Sequence, residues 1–171
     1  MIATIVARWL CPDSIYSARL REAGIRLGNA GDLTILSRLT VQDLILEEPS
    51  TISSRSSVAA LVEQAEHDTA GDFVVIDDSG EYCGMVTDND LKAALMFREA
   101  IPLLQVSELQ RTDLPFITPD ETLDVVLEKF SRSDVDALPV LVDGDPHRVS
   151  GLVTRTRLIK RYQAALDHDN A

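Results

Sequence analysis

Val41-Gln42-Asp43-Leu44 returns 65 residues later as Val106-Ser107-Glu108-Leu109, and the chain between follows the same rhythm. Ile52 returns as Ile117 at the same spacing. The helix-spaced apolar positions Val58, Leu61, Val62 and Ala65 return as Leu123, Val126, Leu127 and Phe130. Phe73-Val74-Val75-Ile76 returns as Leu138-Pro139-Val140-Leu141. Gly84-Met85-Val86-Thr87 returns as Gly151-Leu152-Val153-Thr154, now 67 residues on. The two extra residues fall between Asp143 and Gly151, where a hairpin loop tolerates insertion. A repeat at this period constrains the architecture before any local reading. Each unit of roughly 60 residues is marginal alone, so the two are expected to pack together and share a core.

Each unit reads in the same order. A short helical turn (41–45; 106–109) leads to a short strand at Thr51-Ile52 or Phe116-Ile117. A helix follows at about 57–67 or 120–132, its apolar positions on one face. In the second unit Thr118-Pro119-Asp120-Glu121 reads as a capping box with proline at the first helical position. Two strands come next, 73–77 with 82–87 and 138–142 with 148–154. Asp78-Ser79-Gly80 and Asp143-Gly144-Asp145-Pro146 turn the hairpins. A closing helix carries Leu91, Ala94 and Leu95 in one copy and Leu158, Ile159, Tyr162, Ala165 and Leu166 in the other. The expected fold class is α/β (α+β): strand-helix-strand-strand-helix, twice, packed about a pseudo-twofold axis. Residues 33–99 form the first repeat and 100–167 the second. Residues 1–32 form an N-terminal helical prelude, ending in the joint Gly28-Asn29-Ala30-Gly31-Asp32.

Composition narrows the function classes. Of 171 residues 45% are hydrophobic and 26% charged, which reads as a soluble globular chain. A net charge of −12 repels phosphate backbones and argues against nucleic-acid binding. Cys11 and Cys83 make no disulfide framework and read as small, partly buried apolar residues in a reducing compartment. His67, His147 and His168 are isolated, without metal-ligand spacing, so no metal is expected. No Ser/His/Asp, Cys/His or paired-carboxylate constellation points to an enzyme. The apolar residues Ile2, Ile5, Val6, Trp9 and Leu10 form too short a run to span a bilayer, and Arg8 interrupts it. The run also lacks the basic start of a signal peptide.

The pair of units resembles a tandem pair of cystathionine-beta-synthase (CBS) domains over roughly residues 39–167. The resemblance is carried by Val74-Val75-Ile76-Asp77-Asp78-Ser79-Gly80 and by Gly84-Met85-Val86-Thr87-Asp88-Asn89-Asp90-Leu91. The family signature is glycine, two apolar residues, Thr or Ser, two variable residues, then Asp. It implies an adenine-nucleotide ligand (ATP, ADP or AMP) and a regulatory module rather than an enzyme. Thr87 would stand at a helix N-terminus, its hydroxyl and the free N–H groups facing a phosphate. Asp90, one turn in, could accept the hydrogen bonds of a ribose diol. Thr51 and Ile52 would line the adenine pocket, with Val74 and Val75 as its apolar wall. The plain alternative for 87–90 is a helix cap with acidic first-turn residues.

The second copy departs from the signature. Gly151-Leu152-Val153-Thr154-Arg155-Thr156-Arg157 has arginine where the ribose-binding Asp should be, and arginine accepts no hydrogen bond. Ile117, Pro139, Thr154 and Arg157 therefore outline a degenerate second site. Arg157 could meet a phosphate or pair with an acidic neighbour. Arg148, Arg155, Arg157, Lys160 and Arg161 form a local basic cluster.

The prelude carries a second resemblance, about 25 residues long. Met1-Ile2-Ala3-Thr4-Ile5-Val6-Ala7 through Asp13-Ser14-Ile15-Tyr16-Ser17-Ala18-Arg19-Leu20 looks like the end of the membrane part of a CLC chloride channel or transporter. Tyr16 would match the tyrosine that contacts the central chloride; the other permeation motifs are absent, so this chain alone does not conduct. These resemblances imply a soluble, cytoplasmic, homodimeric nucleotide sensor, at the cytoplasmic face of the membrane if it belongs to a CLC protein. The alternatives are a free-standing CBS-pair sensor and a ligand-free dimerisation scaffold.

Overall fold

The computed structural model describes residues 35–68 and 71–169. The prelude, Cys11 and Tyr16 lie outside the described residues. The first repeat holds β1 (Ser50–Ser53), α1 (Val58–His67), β2 (Phe73–Ile76), β3 (Tyr82–Val86) and α2 (Asp88–Leu95). The second opens on the short helix α3 (Val106–Leu109) and continues with α4 (Leu123–Ser133), β4 (Ala137–Val142), β5 (Asp145–Thr154) and α5 (Arg155–Asp169). Single 3-10 turns stand at Val41–Asp43 and Ile101–Leu103. Among the described residues no helix is long and apolar enough to cross a membrane.

In the first sheet β1 runs parallel to β2, and β2 antiparallel to β3. In the second, β4 and β5 form an antiparallel pair. The expected strand at Phe116-Ile117 shrinks to one parallel bridge, Ile117 to Val140. Pro115 and Pro119 flank it and carry no N–H, which limits how far the ladder can extend. The second hairpin is tighter than expected: Asp145 already pairs with Val142, and Gly144 takes the left-handed turn at φ 76°. The expected capping box at Thr118–Glu121 forms one turn too early to cap α4. Glu121 Oε1 accepts from Thr118 N at 3.1 Å, whereas α4 begins at Leu123 after Thr122.

Side chains alternate across each sheet. Ile52, Phe73, Val75 and Val86 pack with Leu61 of α1, Leu91 of α2 and Val106 of α3. Val74 and Met85, on the opposite face, join Leu138, Val140 and Leu152 of the second sheet and Val126 and Phe130 of α4. The repeat-matched residues Leu61 and Val126 are both fully buried. Sheet one is thus covered by helices on one face and by the other repeat on the other.

The two repeats exchange their lead-in segments. Arg111, just past α3, pairs with Met85 on the free edge of β3 (Arg111 N to Met85 O 2.7 Å, Met85 N to Arg111 O 3.0 Å). Glu47, just past the 41–43 turn, pairs in the same way with Leu152 of β5, both bonds at 2.9 Å. Val106 N donates to Ser56 O, and Val41 N donates to Glu121 O. Each of these bonds has a mate under exchange of the repeats, which gives the pair its pseudo-twofold relation.

Candidate functional site

Thr87 follows β3 and caps α2, and it is a buried polar residue. Its backbone N and Oγ1 both donate to Asp90 Oδ2, at 3.0 and 2.6 Å. Asp90 N donates back to Thr87 Oγ1 at 3.3 Å, so the two residues form a reciprocal capping box. One carboxylate oxygen of Asp90 is therefore committed to the cap, and Oδ1 is the one left for a ligand hydroxyl. Asp88 N donates to Asp72 Oδ1 at 3.1 Å, and the Asp88 carboxylate pairs with Lys92 on the surface. The N-terminus of α2, where the motif places a phosphate, is thus already served by its own carboxylates.

The electrostatics follow from that crowding. Burial pushes the Asp72 carboxyl above the ordinary carboxylate range. The Asp88 N–H opposes the shift, and the negative charges of Asp136, Asp88 and Asp90 add to it. A carboxyl raised in this way binds its proton more readily folded than unfolded, so ionising it costs stability. The cost sets in as pH rises above the ordinary value of 3.8. Asp72→Asn keeps an acceptor for Asp88 N but removes the charge. It is expected to raise the melting temperature at pH 7, with the advantage shrinking toward zero below pH 3.8; thermal unfolding of both proteins across pH measures this.

The other predicted residues of this site divide by strand register. Thr51 pairs with Val74, and Ile52 with Val75. Ile52 and Val75 lie in the helix-covered core, while Val74 faces the second repeat. Adjacent strand residues point to opposite faces, so Val74 and Val75 do not line one cavity together. Thr51 is exposed, and its carbonyl accepts from Gln64 Nε2 at 3.2 Å.

In the second repeat Thr154 precedes α5 as Thr87 precedes α2. Arg157 stands where Asp90 does, and the missing acid arrives from elsewhere. Glu47, in the exchanged lead-in, accepts from Arg157 Nε at 2.8 Å and from Thr154 Oγ1 at 3.3 Å. Arg157 is thus paired with an acidic neighbour. Ile117 and Pro139 are buried beneath, in the sheet. Sequence reasoning missed Glu47. Its structural counterpart, by the bridges to Leu152 and Met85, is Arg111. The first copy has no equivalent pair: Arg111 pairs with its neighbour Asp113 at 3.4 Å, and Asp90 bonds to Thr87.

The basic cluster also separates. Arg155 is structural: it donates to the carbonyls of Phe130 and Val135 at 3.2 and 3.1 Å and stacks on the Phe130 ring at 5.6 Å. Arg148 lies out on the exposed arm of β5. Arg157, Lys160 and Arg161 line a pocket of about 290 Å³ with Asp43, Leu44 and Ile45. Another pocket, of about 400 Å³, lies along α1 at Ala60, Glu63, Gln64, His67 and Asp68.

Cys83 is half-buried, its thiol near Val75 O, and burial pushes its pKa up, which disfavours the thiolate. His147 is not isolated; it lies 3.7 Å from Glu81, joining the two hairpin tips. Among the described residues no cluster of His, Cys, Asp and Glu could hold a metal ion.

Two repeats with exchanged lead-ins, the first strand-helix-strand-strand-helix and the second with a single bridge in place of its first strand, match the family model of the CBS domain at residues 41–97 and 106–164. The chain belongs to the CBS-domain family and carries a tandem pair. Inosine-5'-monophosphate dehydrogenase of Pasteurella multocida is 28% identical over 126 residues, covering 70% of this chain and 23% of the dehydrogenase. Among solved structures, a conserved protein of Pyrococcus horikoshii superposes with a TM-score of 0.63 at 19% identity, covering 74% of this chain and 55% of that one. The CBS-domain pair of protein MJ0100, in complex with 5'-methylthioadenosine and S-adenosyl-L-methionine, gives 0.63 at 22% identity, covering 74% and 97%. The chain therefore spans only part of the dehydrogenase and of the Pyrococcus protein, and these structures share its fold.

Proposed function

We propose that this CBS pair is a regulatory sensor for an adenosine-containing ligand, held in the first repeat by Asp90 and Thr87. The observation that carries the reading is the capped Thr87–Asp90 pair, which leaves Asp90 Oδ1 for a ribose hydroxyl at the end of the sheet. The family and the adenosine ligands of the MJ0100 pair support it. Asp72, Asp88 and Asp90 around the α2 N-terminus disfavour a polyphosphate there. Among adenosine compounds the ranking should follow charge, with adenosine, methylthioadenosine and S-adenosylmethionine ahead of AMP, and AMP ahead of ADP and ATP. Binding would favour one arrangement of the repeats, and an attached partner would feel that as a population shift.

Calorimetry across this ligand series tests the proposal. Asp90→Ala is expected to weaken adenosine binding by about 1.5–3 kcal/mol, the scale of a hydrogen bond to a charged group. The same variant loses its helix cap, costing about 1 kcal/mol of stability, so binding is compared well below the melting temperature. If ATP binds most tightly, the charge argument fails. If no adenosine compound binds at millimolar concentration, a ligand-free dimerisation scaffold replaces the sensor.

The same reading includes a homodimer on the cytoplasmic side, for which Met96 and Phe97, exposed at the end of α2, offer apolar area. Attachment to a CLC-type membrane part rests on the resemblance of Met1 to Leu20 alone. The reading frame upstream of Met1 in the gene tests it: CLC permeation motifs there would support the attachment, and their absence would leave a free-standing sensor.

A further inference from the structure

The pocket between the 41–45 segment and α5 lies apart from Thr87 and Asp90, and its chemistry is of the opposite sign. Arg157, Lys160 and Arg161 face Asp43, Leu44 and Ile45 across about 290 Å³, near the lower end of small-molecule sites. Two acids stand near, Asp43 in the lining itself and Glu47 beside Arg157. Asp43 Oδ2 accepts from Thr40 N at 2.8 Å and from Thr40 Oγ1 at 3.3 Å. Glu47 balances Arg157 through Nε. Among the described residues no ion pair compensates Lys160 or Arg161. The first turn of α5 contains no acidic residue; Arg157 lies in that turn, and Lys160 and Arg161 follow in the next. Such an arrangement costs a little in the free protein and is relieved when an anion binds. Beside the cations, Ile45 is 76% exposed, an apolar surface with no cover among the described residues.

We propose that this pocket binds a phosphate-type anion carried on a small molecule with an apolar or ring-shaped body. The anion bridges Lys160 and Arg161, and the body lies on Leu44 and Ile45. Arg157, fixed by Glu47, presents its remaining guanidinium N–H groups to the same space. The proposal goes beyond the adenosine reading and does not depend on it, since the two sites share no residue.

The test uses the full chain with two probes, inorganic phosphate and phenyl phosphate, followed by calorimetry and amide chemical shifts. The wild type should bind phenyl phosphate more tightly than phosphate, with both affinities falling as salt rises. Lys160→Ala with Arg161→Ala should weaken both probes by roughly tenfold or more. Ile45→Ser should weaken phenyl phosphate and leave phosphate unchanged. Adenosine binding should be the same in all these variants, so failure of either site is read separately. Lys160 is exposed, so the single variant Lys160→Glu serves if the double variant does not fold; it should abolish phosphate binding. Equal affinity in the wild type and the charge variants, or no binding of either probe at millimolar concentration, overturns the proposal. Equal binding of the two probes, indifferent to Ile45→Ser, overturns the part assigned to Leu44 and Ile45 and shows free phosphate as the ligand.

Discussion

Replacing Leu61 or Val126 with aspartate is expected to leave no folded protein at room temperature. Both side chains are fully buried, one on α1 and one on α4, at equivalent points of the repeat. Leu61 packs with Phe73, Val75 and Leu91, and Val126 with Phe130, Leu138 and Val140. The residues named are all apolar, so the new carboxylate would find no partner among them. That costs several kcal/mol, against a total stability for such a domain of about 5–15 kcal/mol. The milder Leu61→Ala should cost about 2–5 kcal/mol, and Phe130→Ala about 3–5 kcal/mol. The informative part is cooperativity. Each repeat's sheet is completed by the other's lead-in, so damage in one half should lower the unfolding midpoint of both. Urea unfolding of Leu61→Ala, followed by circular dichroism and by amide exchange in β4, checks this. A transition in which β4 and β5 stay protected after β1–β3 unfold would show that the halves are independent.

How far the sequence could be read depended on what each feature needs. The repeat, the helix faces and both hairpins are local or periodic, and Val58, Leu61, Leu123, Val126 and Phe130 carry them without knowledge of the rest. The strand at Ile117 is only a bridge: apolar pattern says nothing of N–H supply, which Pro115 and Pro119 restrict. Val74 and Val75 belong to different faces of the sheet because side chains alternate with a period of two. Glu47 was out of reach for a different reason. At the 65-residue spacing it falls opposite Thr112, but the bridges to Leu152 and Met85 make Arg111 its counterpart, one residue off. A single shift in register hid the acid that pairs with Arg157. The acidic ring at α2 was legible as residues but not as a cluster, because Asp72 approaches from a different element.

Gly84→Ala and Gly151→Ala are each expected to destabilise the protein by about 1–3 kcal/mol, the cost of overpacking a close contact. A Cβ at Gly84 would stand 2.7 Å from the carbonyl oxygen of Arg111, and one at Gly151 would stand 2.7 Å from Leu46 Cβ and 3.2 Å from the carbonyl oxygen of Glu47. In both copies the obstacle belongs to the exchanged lead-in, at the point where it bonds to the residue after the glycine. The first glycine of the family motif is explained here by the interlock of the repeats, without reference to a ligand. The two variants should differ in what they disturb. Gly84→Ala must open the Met85–Arg111 bridge, whose carbonyl acceptor cannot swing aside as a side chain would. Gly151→Ala pushes on Leu46 and Glu47, and so on the carboxylate that holds Arg157 and Thr154. Gly80 provides the contrast. With φ at 80° and nothing within 4 Å of its Cβ position, Gly80→Ala should cost only the backbone strain, about 1 kcal/mol. Amide exchange should therefore show lost protection at Met85 and Arg111 in Gly84→Ala, at Glu47 and Leu152 in Gly151→Ala, and at neither bridge in Gly80→Ala. If Gly84→Ala and Gly151→Ala melt with the wild type and keep both bridges protected, the lead-ins are not held as close to the sheets as the interlock requires.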